Sequence, residues 1–257
     1  MTKRLRWPRV LLSALLIAYV NCVLTNLVSL RQRWYANAYN NGTSLTPLHD
    51  TLFVDWMEGE KIPFRDTVTL RDMVDVCTYA WVLVTVLAWA TCSKAPEVAA
   101  KALSAQILLV PVFSLSQLLT IVPDSTPDCL EVYDIPNTAD VSWVFWKYPS
   151  RACGNMMWSS DVTQLVIFTA MATQLVPDTR RRLRCCVWTL GECWTVVTMV
   201  FIFASRYQYS VDVLTTIVVV KLAMSHLFVR QFAVRCFVKR GPYYERAPVR
   251  ELVMPSL

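Results

Sequence analysis

Two carboxylates stand where carboxylates are costly. Asp161 and Asp212 each lie just inside the start of a long apolar segment, in the stretches Cys153-Gly154-Asn155-Met156-Met157-Trp158-Ser159-Ser160-Asp161 and Arg206-Tyr207-Gln208-Tyr209-Ser210-Val211-Asp212-Val213. A charged residue inside a bilayer span is expensive and usually faces the interior of a helix bundle. Two at matched depth point to a shared polar site near one membrane face, with Arg206 and Gln208 beside it. A carboxylate there can act as a base or as a nucleophile, whereas the amide of Gln208 cannot shuttle a proton near neutral pH. The chain has two histidines. His226 follows Asp212 by fourteen residues, ~20 Å along a helix, which is too far to serve the same site. His49 falls in a loop that can fold over it.

The elements that must carry these residues are read from hydropathy. The 257 residues are 55% hydrophobic, which is high for a soluble domain and ordinary for a multi-pass membrane protein. A spanning helix needs about 20 mostly apolar residues. Six segments qualify: Val10–Leu30, Val74–Thr91, Ala99–Val122, Met156–Val176, Cys185–Ser205 and Tyr209–Val229. Unpaired backbone groups are not tolerated in lipid, so each is expected to be a helix. The first has the basic start of a signal peptide, Lys3-Arg4-Leu5-Arg6, but it is longer than a signal core and shows no small-residue cleavage site. It reads as a retained first helix. The expectation is an all-α, six-helix transmembrane bundle over residues 1–230 with a basic tail over 231–257.

Orientation follows from Lys and Arg in the loops. With the N-terminus in the cytosol, Lys3, Arg4, Arg6, Arg9, Lys94, Lys101, Arg180, Arg181, Arg182, Arg184 and the basic tail from Arg230 to Arg250 lie inside, and a smaller set lies outside. Both termini are then cytosolic, and both carboxylates face the lumen or the cell exterior. That places the protein in the Golgi, the endoplasmic reticulum or the plasma membrane. The net charge of +6 fits a face meeting anionic lipid head groups, not nucleic acid. Asp124, Asp128, Glu131, Asp134 and Asp140 suit an exoplasmic third loop. Cys129 and Cys153 share that loop, where a disulfide is permitted, and Cys185-Cys186 follow a basic cluster at the cytosolic edge, a setting that suits palmitoylation. With five glycines and no nucleotide-binding glycine pattern, neither a cofactor nor a metal is expected.

One further pair stands apart from the site. Glu192 and Lys221 fall at nearly equal depth on consecutive antiparallel segments. Charges within membranes are normally paired, so an interhelical ion pair in the cytosolic half of the bundle is expected.

The two motifs resemble the active-site motifs of the sphingomyelin synthase and inositol phosphorylceramide synthase family, C-G-D-x-x-x-S-G-H-T and H-Y-[ST]-x-D. Pro47-Leu48-His49-Asp50 resembles that family's P-L-P-D. The likeness runs from about Pro47 to Phe228 and agrees with six spans and cytosolic termini. It implies a lipid-phosphate-phosphatase-like fold whose members move a phospho-head group from a glycerophospholipid to the primary hydroxyl of ceramide. One histidine is the nucleophile, an aspartate orients it, and a second histidine handles a proton. Of that triad only Asp212 is present here: Gln208 stands at the nucleophile position, Asp161 at the proton carrier's, Asn155 at the motif's aspartate and Ser160 at its glycine. The resemblance implies Asp50, Asn155, Ser159, Arg206 and Tyr209 as substrate-binding positions. It also implies membrane lipids, ceramide and glycerophospholipid, as partners, and a homo-oligomer or a hetero-oligomer with active relatives. Three readings follow. The leading one is a family member that has lost catalysis and acts by binding lipid or a partner in sphingolipid metabolism. The second is an active ceramide phosphotransferase using Asp161, Asp212 and His49. The third is a structural scaffold.

Overall fold

The structure, a computed structural model, describes residues 4–5, 7–40, 64–90, 92, 95–119, 141–146, 158–177, 179–205, 210–226, 229, 232 and 236–239. They are helical apart from one short antiparallel pairing. The helices are α1 (Trp7–Tyr39), α2 (Phe64–Ala90), α3 (Ala95–Leu119), α4 (Val141–Trp146), α5 (Ser160–Leu175), α6 (Arg181–Ala204) and α7 (Ser210–Ser225). The pairing joins β1 (Arg4–Leu5) to β2 (Val238–Lys239), with Arg4 opposite Lys239 and Leu5 opposite Val238.

Four helices, α1, α2, α3 and α6, are long and apolar enough to cross a membrane. The other two expected spans are represented by α5 and α7, of 16 residues each. The difference lies mainly at the start of α5, which Ser159 caps after Met156, and at the end of α7, which stops at Ser225, four residues before Val229. Conversely α1 runs on to Tyr39, past the expected end at Leu30, through a polar stretch (Arg31, Gln32, Arg33). Two of those three side chains, Gln32 and Arg33, are buried, so tertiary contact and not hydropathy extends the helix. The short α4 was not legible in the hydropathy pattern. It is held to α1 by Asn26, whose Nδ2 donates to the carbonyl of Val144 at 2.8 Å.

Large apolar side chains crowd the outer faces of the bundle. Leu12, Leu15, Tyr79, Leu87 and Leu222 are each about 60–70 % exposed on the outer faces of α1, α2 and α7, where water would make them costly. The interior combines an apolar core, including Val74, Val162, Ile167 and Ile202, with small polar residues: Ser104, Thr85, Thr169, Thr195, Thr198 and Thr216 are all buried. Small and hydroxyl-bearing residues at helix contacts let backbones approach closely in membranes. Most of these hydroxyls are satisfied by the carbonyl one turn back in their own helix: Ser104 to Ala100 (2.7 Å), Thr85 to Trp81 (2.9 Å), Thr195 to Gly191 (2.8 Å) and Thr198 to Trp194 (3.0 Å). A threonine bonded in this way brings no unpaired polar group into the core.

Central to the packing is α5, which touches α2, α3, α6 and α7. Its contact with α6 is tight at Gly191. A Cβ built there would meet the side chain of Thr169, with Oγ1 at 2.6 Å and Cγ2 nearer still. Only a hydrogen fits, so the backbones of α5 and α6 approach as they do at small-residue membrane interfaces. Two tryptophans clamp the same seam. Trp81 Nε1 donates to Thr169 Oγ1 at 3.0 Å, and Trp194 Nε1 donates to the carbonyl of Cys77 at 2.9 Å. Their rings stack at 6.3 Å between centroids. Indole N–H groups need partners when buried, and here both also tie α2 to its neighbours.

The two ends of the bundle differ. At one end, Ala100 and Leu103 of α3 pack with Phe237, and Val10, Trp89, Phe232 and Cys236 border them. The β1–β2 pairing closes this end, so the packed chain continues beyond residue 230 as far as Lys239. Lys101 Nζ, which also pairs with Glu97 at 3.6 Å, reaches Gln174 Oε1 at 3.2 Å and ties the start of α3 to the end of α5. At the other end lie the starts of α5 and α7, the end of α3, α4, and the polar part of α1.

Candidate functional site

The starts of α5 and α7 are joined through one threonine. Ser159 is the N-cap of α5: its backbone is extended (φ −95°, ψ 112°), and its Oγ accepts from the N–H of Val162 at 3.2 Å. Such a cap satisfies one of the donors that a helix start leaves open. The N–H of Ser159 itself donates to Thr216 Oγ1 at 2.9 Å, and Thr216 Oγ1 donates to the carbonyl of Asp212 at 2.6 Å. The Ser159 carbonyl accepts from Thr163 Oγ1 at 2.7 Å. The two sequence motifs, more than fifty residues apart, therefore meet at a continuous chain of hydrogen bonds from Val162 through Ser159 and Thr216 to Asp212.

Asp161 and Asp212 both occupy first turns, of α5 and α7 respectively. A carboxylate is favoured there by the open N–H groups and by the helix dipole. The two differ in environment. Asp212 is 3 % exposed, between Ser210 and Val213, which are also buried; Asp161 is half-buried. Asp212 belongs to the interior of the bundle.

A wall of this region comes from α3. Trp158, one residue before the cap, stacks on Phe113 with ring centroids 4.0 Å apart and an interplanar angle of 15°, and its Nε1 donates to Ser116 Oγ. Ser116 Oγ is bonded in turn to the carbonyl of Phe113 at 2.7 Å. The α3 segment that receives the indole is thus fixed against α5. Deeper along the same contact, Gln106 Nε2 donates to Gln164 Oε1 at 2.9 Å. On the far side, the Arg31 guanidinium donates to the carbonyls of Leu118 and Gln117 at the end of α3. Those carbonyls have no intrahelical partner, and a cation is favoured at a helix C-terminus. Arg33, Gln32, Asn26 and Gln117 are all buried near this end. Because α1 packs chiefly on α3 and α4, these groups flank the polar layer formed by Ser159, Ser210 and Asp212 from the α1 side of α3.

Of the residues singled out from sequence, the structure brings Ser159 and Asp212 into one bonded chain and places Asp161 one helical step from it. Ser159 is fully buried, and its hydroxyl is engaged as the cap. Asp50, His49, Asn155, Arg206, Gln208 and Tyr209 lie outside the described residues, as do Cys129 and Cys153. His226 follows α7 at the end away from Asp212. Cys185 and Cys186 are exposed free thiols in the first turns of α6. Sequence reasoning missed Thr216, Trp158, Ser116 and Arg31 as parts of this region. Thr216 carries the one signal that could have found it: it follows Asp212 by four residues and so occupies the same helix face.

The expected ion pair between Glu192 and Lys221 is present, with Lys221 Nζ 2.9 Å from Glu192 Oε2. Its setting differs from the expectation. Because α6 starts at Arg181 and not at Cys185, Glu192 stands near the middle of the helix. The pair lies on the outer surface, with side chains 44 % (Lys221) and 30 % (Glu192) exposed.

Compared with models of known protein families and with curated proteins, the chain matches none.

Proposed function

We propose that this chain is a multi-pass membrane protein that binds a membrane lipid in the polar layer at the starts of α5 and α7 and does not turn it over. The observation that carries this reading is Asp212, 3 % exposed in the first turn of α7, beside the main-chain link in which its carbonyl accepts from Thr216 and Thr216 accepts from the Ser159 N–H, inside an apolar-surfaced bundle. An ionisable residue on the inward face of a membrane helix is by default functional. The resemblance of Cys153–Asp161 and Gln208–Asp212 to sphingomyelin synthase motifs supports ceramide and glycerophospholipid as ligands. Gln208 and Asp161 in place of the two histidines leave no nucleophile activated by a partner base, which supports binding without transfer. All six apolar segments span, α5 and α7 included, with both termini cytosolic. The gathering of Arg4, Lys101, Arg181 and Lys239 at the end of the bundle away from Asp212 supports that orientation.

The test is a pair of assays on the purified full chain. Photoactivatable ceramide and phosphatidylcholine should label it, and excess unlabelled lipid should compete. A head-group transfer assay with labelled donor lipid should give no product. Turnover that is abolished by Asp161→Ala would replace this reading with an active phosphotransferase, and absence of competable labelling would reduce the protein to a scaffold. For orientation, a cysteine at Ser142 should react with an impermeant reagent on intact cells and a cysteine at Arg181 should not.

A further inference from the structure

Charges on the outside of a membrane bundle are the feature that lipid binding at the opposite end does not explain. Glu192 is near the middle of α6, and Lys221 is on α7 at the depth that a 2.9 Å contact requires. Both side chains are substantially exposed, at 30 % and 44 %. The surface around them is apolar: Trp188 and Val196 lie one turn either side of Glu192, and Leu214, Val218 and Leu222 share the exposed side of α7 with Lys221, each 49–63 % exposed. Only the placement of α6 and α7 in a bilayer is taken from the proposed function.

Within the chain the pair is only partly satisfied. An ammonium has three donors and a carboxylate two acceptor oxygens. One N–H···O contact, from Nζ to Oε2, joins them, and among the described residues neither side chain makes another. In water the solvent would complete both groups. In hydrocarbon nothing does, and unsatisfied polar capacity there costs far more. Lys221 cannot reach the surface by extending alone without breaking the contact with Glu192, which is held at mid-helix.

We propose that the α6–α7 face is the interface of a two-fold homodimer, in which Lys221 of each copy also bonds Glu192 of the other. The symmetry makes a second copy the fitting partner. A two-fold axis along the membrane normal leaves every residue at its own depth, and the interface uses the same patch on both copies. An anion and a cation at one depth on neighbouring helices are complementary to themselves under that rotation. The four charges then form a closed, neutral ring, with each carboxylate between two ammonium groups, and the apolar side chains named above surround it. Interhelical polar contacts of this kind act as glue in membranes, where association has no hydrophobic drive.

Charge reversal distinguishes the dimer from a pair that acts within one chain. Two differently tagged full-length copies are co-expressed, and the share of one captured with the other is measured in mild detergent. Wild type should capture wild type. Glu192→Lys alone, or Lys221→Glu alone, places like charges across the interface and should lower self-capture at least tenfold. Glu192→Lys co-expressed with Lys221→Glu restores both intermolecular contacts while each chain keeps like charges internally, so capture should return to within about twofold of wild type. Failure of that combination to recover, with both variants monodisperse, overturns the proposal. The double variant Glu192→Lys/Lys221→Glu should capture itself like wild type. Should the reversed variants not fold, the unaltered protein decides the question: Cys193, exposed beside Glu192, should give a crosslinked dimer in native membranes with a short bis-maleimide. A dimer band that is absent, or undiminished in Cys193→Ser, counts against the interface. So does wild-type capture of a different membrane protein in place of a second copy.

Discussion

Asp212 and Lys221 lie on the same helix, nine positions apart, and the bundle treats them in opposite ways. Asp212 faces inward, 3 % exposed, and its helix start is tied to that of α5 by the Ser159–Thr216 bond. Lys221 faces outward, 44 % exposed, with one carboxylate for company. The inward charge is set in a layer of buried polar groups that includes Ser210 and Ser159, with Asn26, Gln32 and Arg33 at the same end. The outward charge is set among Leu214, Val218 and Leu222. One helix thus holds one charge enclosed in protein and another on its outer surface. The proposed lipid site rests on the first arrangement and the proposed dimer interface on the second.

That contrast can be broken most severely from the interior. Gly191→Leu would drive a side chain into Thr169, where even a Cβ is too close, and neither α5 nor α6 can retreat without losing the Trp81 and Trp194 hydrogen bonds. Overpacking of this kind costs about 3 kcal/mol or more. The variant is expected to lose its cooperative thermal transition in detergent, whereas Leu190→Gly, at an exposed position of the same helix, should keep it.

The bonded chain between the motifs is the next test. Thr216→Val keeps the shape and strands the buried N–H of Ser159. An unsatisfied buried donor costs about 1–3 kcal/mol, and the midpoint of thermal unfolding should fall accordingly. Lipid photolabelling should fall with it, because the two helix starts would no longer be held together.

Ser159→Ala removes only the cap. Loss of an N-cap costs about 1 kcal/mol, and Ser159→Thr, which keeps a capping hydroxyl, should recover most of the stability. Recovery of stability without recovery of lipid labelling would show that this position also contacts ligand.

The smallest effect belongs to the surface. Interhelical polar pairs in membranes couple by about 0.6 kcal/mol on average in double-mutant cycles, so Lys221→Met and Glu192→Gln should each lower stability, and the double variant should fall short of their sum by about that amount. Strict additivity in a double-mutant cycle would show that the two residues do not interact.

Local sequence was enough for the helices themselves. Apolar runs longer than a bilayer core cannot be anything else in lipid, and α1, α2, α3 and α6 follow from that. Equal depth of Glu192 and Lys221 also follows from residue counting, because rise per residue is fixed along a helix. Counting fails where helices end by side-chain contact. Hydropathy starts the fourth and sixth apolar segments at Met156 and Tyr209, while Ser159 capping sets the start of α5 and α7 begins at Ser210. It ends the first segment at Leu30, while burial of Gln32 and Arg33 carries α1 on to Tyr39. Rotation about each helix axis was decided only in three dimensions. The cost of a charge in lipid pointed Asp212 inward, but hydropathy is blind to azimuth when a helix is apolar on every side, and the same cost gave no sign that Lys221 would turn outward. The close approach at Gly191 and Thr169, which fixes α6 against α5, and the Thr216 link, which fixes α7 against α5, made that choice, because both depend on residues brought together from distant parts of the chain.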